Sequence, residues 1–181
     1  GIIGWCDDNK PAIIVVDPVM ISKSGYPLLQ PEACQTLIEE LLPLATLLTP
    51  NLPEAEAIAN MKVEVKSEMR PVAEKIIALG AKAVLVKGGH LSDTADDLLF
   101  DGKEEKWFAG ERINTKNTHG TGCTLSSSLA ANLAKGMSLE EAVKASKAYV
   151  TEAITYGIEL GKGCGPTHHF VDLYRKAGLL E

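Results

Sequence analysis

Positive charge is the minority charge in this chain. Eighteen lysines and arginines stand against 24 aspartates and glutamates, a net charge of −6 over 181 residues. No run of basic residues occurs, which argues against a nucleic-acid surface built on a basic stripe. The four cysteines, Cys6, Cys34, Cys123 and Cys164, contain no C-x-x-C and form no metal-ligand cluster with the histidines. Thiols without a pairing framework fit a reducing compartment, so the expected location is cytoplasmic. Apolar runs are broken by Pro43, Pro50 and Pro53, and no membrane span is expected. Gly1 to Trp5 is too short and lacks the basic start of a signal peptide. No methionine opens the chain, so a fragment or a processed product is expected.

Both standard nucleotide fingerprints are missing as well. There is no G-x-x-x-x-G-K-[ST], and no G-x-G-x-x-G between a strand and a helix. Gly161-Lys162-Gly163-Cys164-Gly165 follows a helical pattern and reads as a loop. Repeats, low-complexity tracts and linkers are absent too. What remains is 45% hydrophobic and 23% charged, the balance of a globular chain, and residues 1–181 are expected to form one domain.

The pattern is α/β. Residues 11–16, 45–49 and 83–86 are apolar, β-branched runs that read as buried parallel strands. Residues 21–29 read as loop. Pro31 sits at a helix start, with Leu37, Ile38, Leu41 and Leu42 as its stripe. Pro53 opens another helix, and Ser67 is expected to cap a third that closes on Gly80. Residues 96–100 and 103–108, joined by Asp101-Gly102, read as a β-hairpin, and Arg112-Ile113 as the start of a further strand. A small-residue helix over 125–135 ends at Gly136. Ser138 and Glu141 make a capping box for a helix reaching about Leu160, and a last helix covers 171–177. His168-His169 reads as a surface or packing pair.

The sequence Asn-Thr-His-Gly-Thr-Gly-Cys-Thr (117–124) places glycines at a helix start. Backbone N–H groups there can turn toward one point, and the helix end adds partial positive charge, which suits an anion. Cys123 falls in the first turn, a position that favours a thiolate. An anion cradle beside a base suggests phosphoryl transfer. The alternative is a glycine-rich loop with a small buried cysteine. Other polar residues fall at strand ends: Asp17, Asn51 with Glu54, and Lys87. Parallel strands bring such ends to one edge. A lysine can hold phosphate and carboxylates can hold Mg²⁺ through water. Each also has a plain reading, as a strand terminus, a helix-start carboxylate or a solvated lysine. Asp93, Asp96 and Asp97 read as turn and solvation residues, and His90 and His119 as loop or packing residues.

The ordered set Val-Val-Asp-Pro-Val-Met (15–20), Thr-Pro-Asn-x-x-Glu-Ala (49–55), Val-Lys-Gly-Gly-His (86–90) and Thr-His-Gly-Thr-Gly-Cys-Thr-Leu-Ser-Ser (118–127) resembles the hydroxymethylpyrimidine/phosphomethylpyrimidine kinases of thiamine biosynthesis, within the ribokinase-like superfamily. The resemblance implies a three-layer α/β sandwich on a mostly parallel sheet, here incomplete at its N-terminal side. It implies ATP-dependent phosphorylation of a hydroxymethylpyrimidine and then of its monophosphate. Cys123, where ribokinase relatives carry aspartate, would be the base. The backbone of Gly120, Thr121, Gly122 and Cys123 would form the anion hole. Lys87, with Thr118, Gly120 and Gly122, would contact ATP, and Val19 the pyrimidine. Asp17, Asn51 and Glu54 would organise Mg²⁺. The family's N-terminal portion is missing, which implies reduced activity of this chain alone and an exposed sheet edge open to self-association. The expected partners are a pyrimidine, ATP and further copies of the chain, with neither nucleic acid nor membrane. Pyridoxal kinase, another ribokinase-like kinase, and a non-catalytic ligand-binding module are the alternatives.

Overall fold

The computed structural model describes residues 2–21, 26–91 and 95–180. The chain falls into two compact units, Gly1–Gly110 and Glu111–Glu181.

The first unit opens with α1 (Ile2–Asn9) and is built on a five-stranded sheet in the order β1 (Val15–Val16), β2 (Leu47–Leu48), β3 (Val84–Val86), β4 (Asp97–Phe100) and β5 (Glu105–Phe108). The sheet is mixed. β1, β2 and β3 are parallel, as expected from the buried runs, and the hairpin adds β4 and β5 antiparallel. The first strand is shorter than the apolar run that announces it. At Ile14 only the carbonyl keeps backbone partners, the N–H groups of Thr46 and Leu47, while the Ile14 N–H donates to Thr46 Oγ1 at 3.0 Å. The hairpin's second strand starts at Glu105 rather than Lys103, since Asp101 Oδ1 takes the N–H groups of Lys103 (2.9 Å) and Glu104 (2.8 Å).

α2 (Pro31–Thr36) starts on its proline and continues as one π-helical turn, Leu37–Leu41, and one 3₁₀ turn, Leu42–Leu44, that contains Pro43. α3 (Leu52–Ala59) buries Leu52, Ala55 and Ile58 and ends on left-handed Asn60. α4 (Met69–Ala78) buries Met69, Val72, Ala73 and Ile76, the i, i+3, i+4, i+7 stripe of a core-facing helix. Ser67 does not cap it. A 3₁₀ turn, Lys66–Glu68, precedes α4, and the Glu68 carboxylate accepts from the N–H groups of Glu64 and Val65. These stripes meet Leu48, Val84, Val86 and Leu98 in one apolar core. The 21–29 segment is described in part, with an antiparallel bridge between Ile21 and Pro27.

The second unit consists of α5 (Thr121–Ala134), α6 (Leu139–Thr155) and α7 (Val171–Lys176). Leu125, Leu129 and Leu133 form the buried stripe of α5, which packs on α6. Asn132 Nδ2 donates to the buried Ser146 Oγ between the two helices at 3.0 Å. The Ser138 and Glu141 capping box is formed. α6 stops at Thr155, short of Leu160, because the chain turns back: the Ile158 N–H donates to the Pro166 carbonyl at 3.1 Å. Arg112-Ile113 is not a strand. His119 forms only an isolated bridge, to Pro166. His168 is a packing residue, buried, accepting the Phe170 N–H on Nδ1 and meeting the Tyr174 ring edge-on, while His169 is exposed. Among the described residues, no helix is long and apolar enough to cross a membrane.

Candidate active site residues in the two units

In the first unit the parallel strands bring four of the expected residues together. Asp17 follows β1, Asn51 lies beyond β2, and Lys87 follows β3. The ladder continues past the strand ends, where Asn51 and Lys87 form a parallel bridge and the Lys87 N–H donates to Pro50 O at 2.9 Å. Lys87 Nζ stands 3.2 Å from Asp17 Oδ1, with the two side chains only 17% and 15% exposed. The buried Thr49 hydroxyl lies 3.3 Å from Val16 O and 3.4 Å from Asp17 Oδ1, so one proton serves two acceptors. This is an ordered, half-sheltered ion pair rather than a solvated strand-end lysine. Val19 is exposed, with its N–H donating to Asp17 O at 2.9 Å.

Asn51 and Glu54 form a complete capping box at the start of α3. Asn51 Oδ1 accepts the Glu54 N–H at 2.9 Å, and Glu54 Oε2 accepts the Asn51 N–H at 2.8 Å. Glu54 is nonetheless buried, 3% exposed. Burial pushes its carboxyl above the ordinary carboxylate value. The Asn51 N–H and the charge of Lys87 oppose that rise, and the charge of Asp17 adds to it. A carboxyl raised in the folded state binds a proton there before it does so unfolded. Stability therefore falls as pH rises from the ordinary value, 4.5, through the raised one. Glu54→Gln keeps an acceptor for Asn51 and removes this loss. In urea titrations across that window, the variant's midpoint should stay level relative to the parent's, which declines. A parallel decline in both proteins would locate the loss elsewhere.

In the second unit, Gly120 takes the left-handed conformation, φ 81° and ψ 3°, and caps α5. Thr124 N–H donates to Gly120 O at 2.9 Å, closing the first turn. The N–H groups of Gly120, Thr121, Gly122 and Cys123 therefore have no partner within the helix. Thr121 Oγ1 donates back to Thr118 O at 2.9 Å and Thr124 Oγ1 to Gly120 O at 2.8 Å, which ties the loop to the first turn. Cys123 is exposed on that turn, which removes the small-buried-cysteine reading. It opens one end of a groove of about 750 Å³ along α5 and α6, also lined by Ser127, Asn132, Lys135, Tyr149 and His169.

Sequence reasoning missed the supports of this loop. Asn117 is buried and its Nδ2 donates to Gly157 O at 3.2 Å. Gly157 and Gly165 pack directly on it, for a Cβ at either would come within 2.6 Å of Asn117 Cβ or 2.2 Å of Asn117 Oδ1. His119 N–H donates to Gly165 O at 3.1 Å. The only sequence signal was the density of glycines at 157–165. Asp97, expected as a turn or solvation residue, is buried, and Asp96 pairs with Lys66 at 2.6 Å; Asp93 lies outside the described residues. Among the described residues, no group of three or more His, Cys, Asp or Glu side chains is placed to hold a metal ion.

The phosphomethylpyrimidine kinase family model matches residues 2–168. A hydroxymethylpyrimidine/phosphomethylpyrimidine kinase of Rhizobium meliloti is 53% identical over 160 residues, covering 86% of this chain and 60% of that protein. Among solved structures, phosphomethylpyrimidine kinase of Clostridium difficile is similar with a TM-score of 0.75 at 47% identity, over 84% of this chain and 62% of that one. The ADP complex of Bacillus subtilis pyridoxal kinase gives a TM-score of 0.84 at 38% identity, over 93% and 63%. The chain spans about three fifths of the length of the curated hydroxymethylpyrimidine/phosphomethylpyrimidine kinases it matches.

Proposed function

Since the chain belongs to the phosphomethylpyrimidine kinase family and has the ribokinase-like α/β fold of its structural relatives, we propose that it carries the phosphoryl-transfer residues of a kinase acting on 4-amino-5-hydroxymethyl-2-methylpyrimidine and on its monophosphate. In this reading residues 1–181 belong to a single kinase domain. The observation that carries the reading is the α5 start, where four backbone N–H groups without helical partners stand beside the exposed thiol of Cys123.

The hydroxymethyl oxygen attacks the γ-phosphorus of ATP, and ADP leaves. Cys123 takes the hydroxyl proton, and the N–H groups of residues 120–123 meet the charge on the transferring group. Lys87 holds ATP phosphate oxygens as a point charge. Its pairing with Asp17 supports this role, because the ammonium is held in one place before nucleotide arrives. Thr118 is assigned to the phosphates and Val19 to the pyrimidine ring.

The donor set fits Mg²⁺ held largely through water. Asp17 and Glu54 supply two carboxylates, Asn51 Oδ1 keeps a lone pair beyond its capping bond, and no cage of direct ligands is present among the described residues. When bound, the ion would neutralise phosphate charge.

Pyridoxal is the second acceptor to consider, because the structural superposition is better on a pyridoxal kinase than on a phosphomethylpyrimidine kinase. A coupled ADP-release assay on the longest natural polypeptide separates the two. Release with hydroxymethylpyrimidine and with its monophosphate is expected. Release with pyridoxal alone would select the second reading, and no acceptor-dependent ADP release with any of the three would overturn both.

A further inference from the structure

The chain leaves β3 between two neighbours, and only one of them continues as a strand partner. On the β2 side the Lys87 N–H has the Pro50 carbonyl, at 2.9 Å. On the β4 side the antiparallel register runs Val84↔Phe100, Leu85↔Leu99 and Val86↔Leu98 and then stops. The next N–H, that of Gly88, is met by a side chain, Asp97 Oδ1, at 2.9 Å in a buried position. A carboxylate oxygen thus stands where a ladder carbonyl would have been. The approach is close enough that a Cβ on Gly88 would lie 1.9 Å from Asp96 O. Gly88 then closes a tight turn, its carbonyl accepting the Leu91 N–H at 3.0 Å.

We propose that Asp97 is a positioning residue for Lys87: by holding the Gly88 N–H against the edge of β4, it fixes the peptide that follows Lys87 and so the place at which the ammonium meets Asp17. The inference rests on the reading of Lys87 as a phosphate contact. A carboxylate suits the task for a physical reason. A charged acceptor makes a shorter, stronger bond to a backbone N–H than a neutral one, and the Asp97 side chain takes the Gly88 N–H where the Asp96 backbone crowds against Gly88. The carboxylate need not touch nucleotide or pyrimidine to do this.

The test compares Asp97→Ala, Asp97→Asn and the parent, each as the full natural polypeptide. Asparagine keeps an Oδ1 acceptor and alanine does not. In Asp97→Ala, kcat/KM for ATP should fall by roughly 10- to 100-fold while KM for the pyrimidine stays within about twofold, and Asp97→Asn should recover most of the loss. Hydrogen exchange read by NMR should show the Gly88 amide protected in the parent and in Asp97→Asn. In Asp97→Ala it should be open while the amides of residues 84–86 stay protected. That last comparison excludes general unfolding as the cause. Unchanged ATP kinetics in Asp97→Ala with an open Gly88 amide would overturn the proposal. So would an Asp97→Asn protein as impaired as Asp97→Ala with its Gly88 amide still protected. If the parent phosphorylates none of the three acceptors, the kinase reading fails instead. The brace is then judged by amide exchange and by ADP affinity, which should weaken in Asp97→Ala and recover in Asp97→Asn.

Discussion

Cys123→Ala is expected to lower phosphorylation of the hydroxymethyl group by roughly 10²-fold or more, while phosphorylation of the monophosphate falls much less. The asymmetry follows from the acceptors. A hydroxyl must lose its proton as it attacks, whereas a phosphate oxygen is already ionised and needs no base. The thiol occupies the third position of α5, exposed, so its removal leaves no cavity, and alanine is the best helix former available. The backbone N–H groups of residues 120–123 remain, which is why the second step should survive. Single-turnover measurements of the two reactions, on the same preparation, read the ratio directly. An equal loss in both steps would make Cys123 a structural residue and remove the base assignment.

Lys87→Ala should depress both steps alike, by roughly 10²–10³-fold, with KM for ATP raised. It removes a cation that no other side chain supplies to Asp17 in the described hydrogen bonds and ion pairs. It also leaves a carboxylate that is only 15% exposed without its counter-ion, and removes the charge that opposes the upward shift of Glu54. Loss of fold is therefore a rival explanation, and thermal melts of the variant must accompany the kinetics. Lys87→Arg sharpens the test. A guanidinium keeps the charge near Asp17 but presents a planar fork in place of a compact ammonium. It should restore the melting temperature more fully than turnover. Turnover at the parent's rate by a folded Lys87→Ala protein would remove the lysine from the reaction.

The helix and strand pattern of the first unit was legible because it depends on local rules. Buried runs mark β1, β2 and β3, the Asp101-Gly102 turn marks the hairpin, and Asn51 with Glu54 satisfies a cap within three residues. The errors were local competitions the pattern does not rank. Asp101 took N–H groups that strand pairing would otherwise have used, Glu68 displaced Ser67 at the start of α4, and the turn at Gly157 ended α6 early. The resemblance had also placed the glycine loop and Lys87, since those motifs are contiguous.

What the sequence determined by itself is therefore which residues stand at the ends of elements, since capping, periodicity and turn chemistry act over a few positions. Only the tertiary structure decided what those ends touch. Lys87 finds Asp17 across 70 positions because β1, β2 and β3 are parallel and in register. Glu54 is raised because the packed core shuts water from a residue that the hydrogen bonds of the local cap alone would lower. Gly88 and Gly165 are glycines because another segment's backbone or side chain lies within about 2 Å of where a Cβ would be. Such closeness depends on two distant stretches arriving together, and no local rule of the chain contains it.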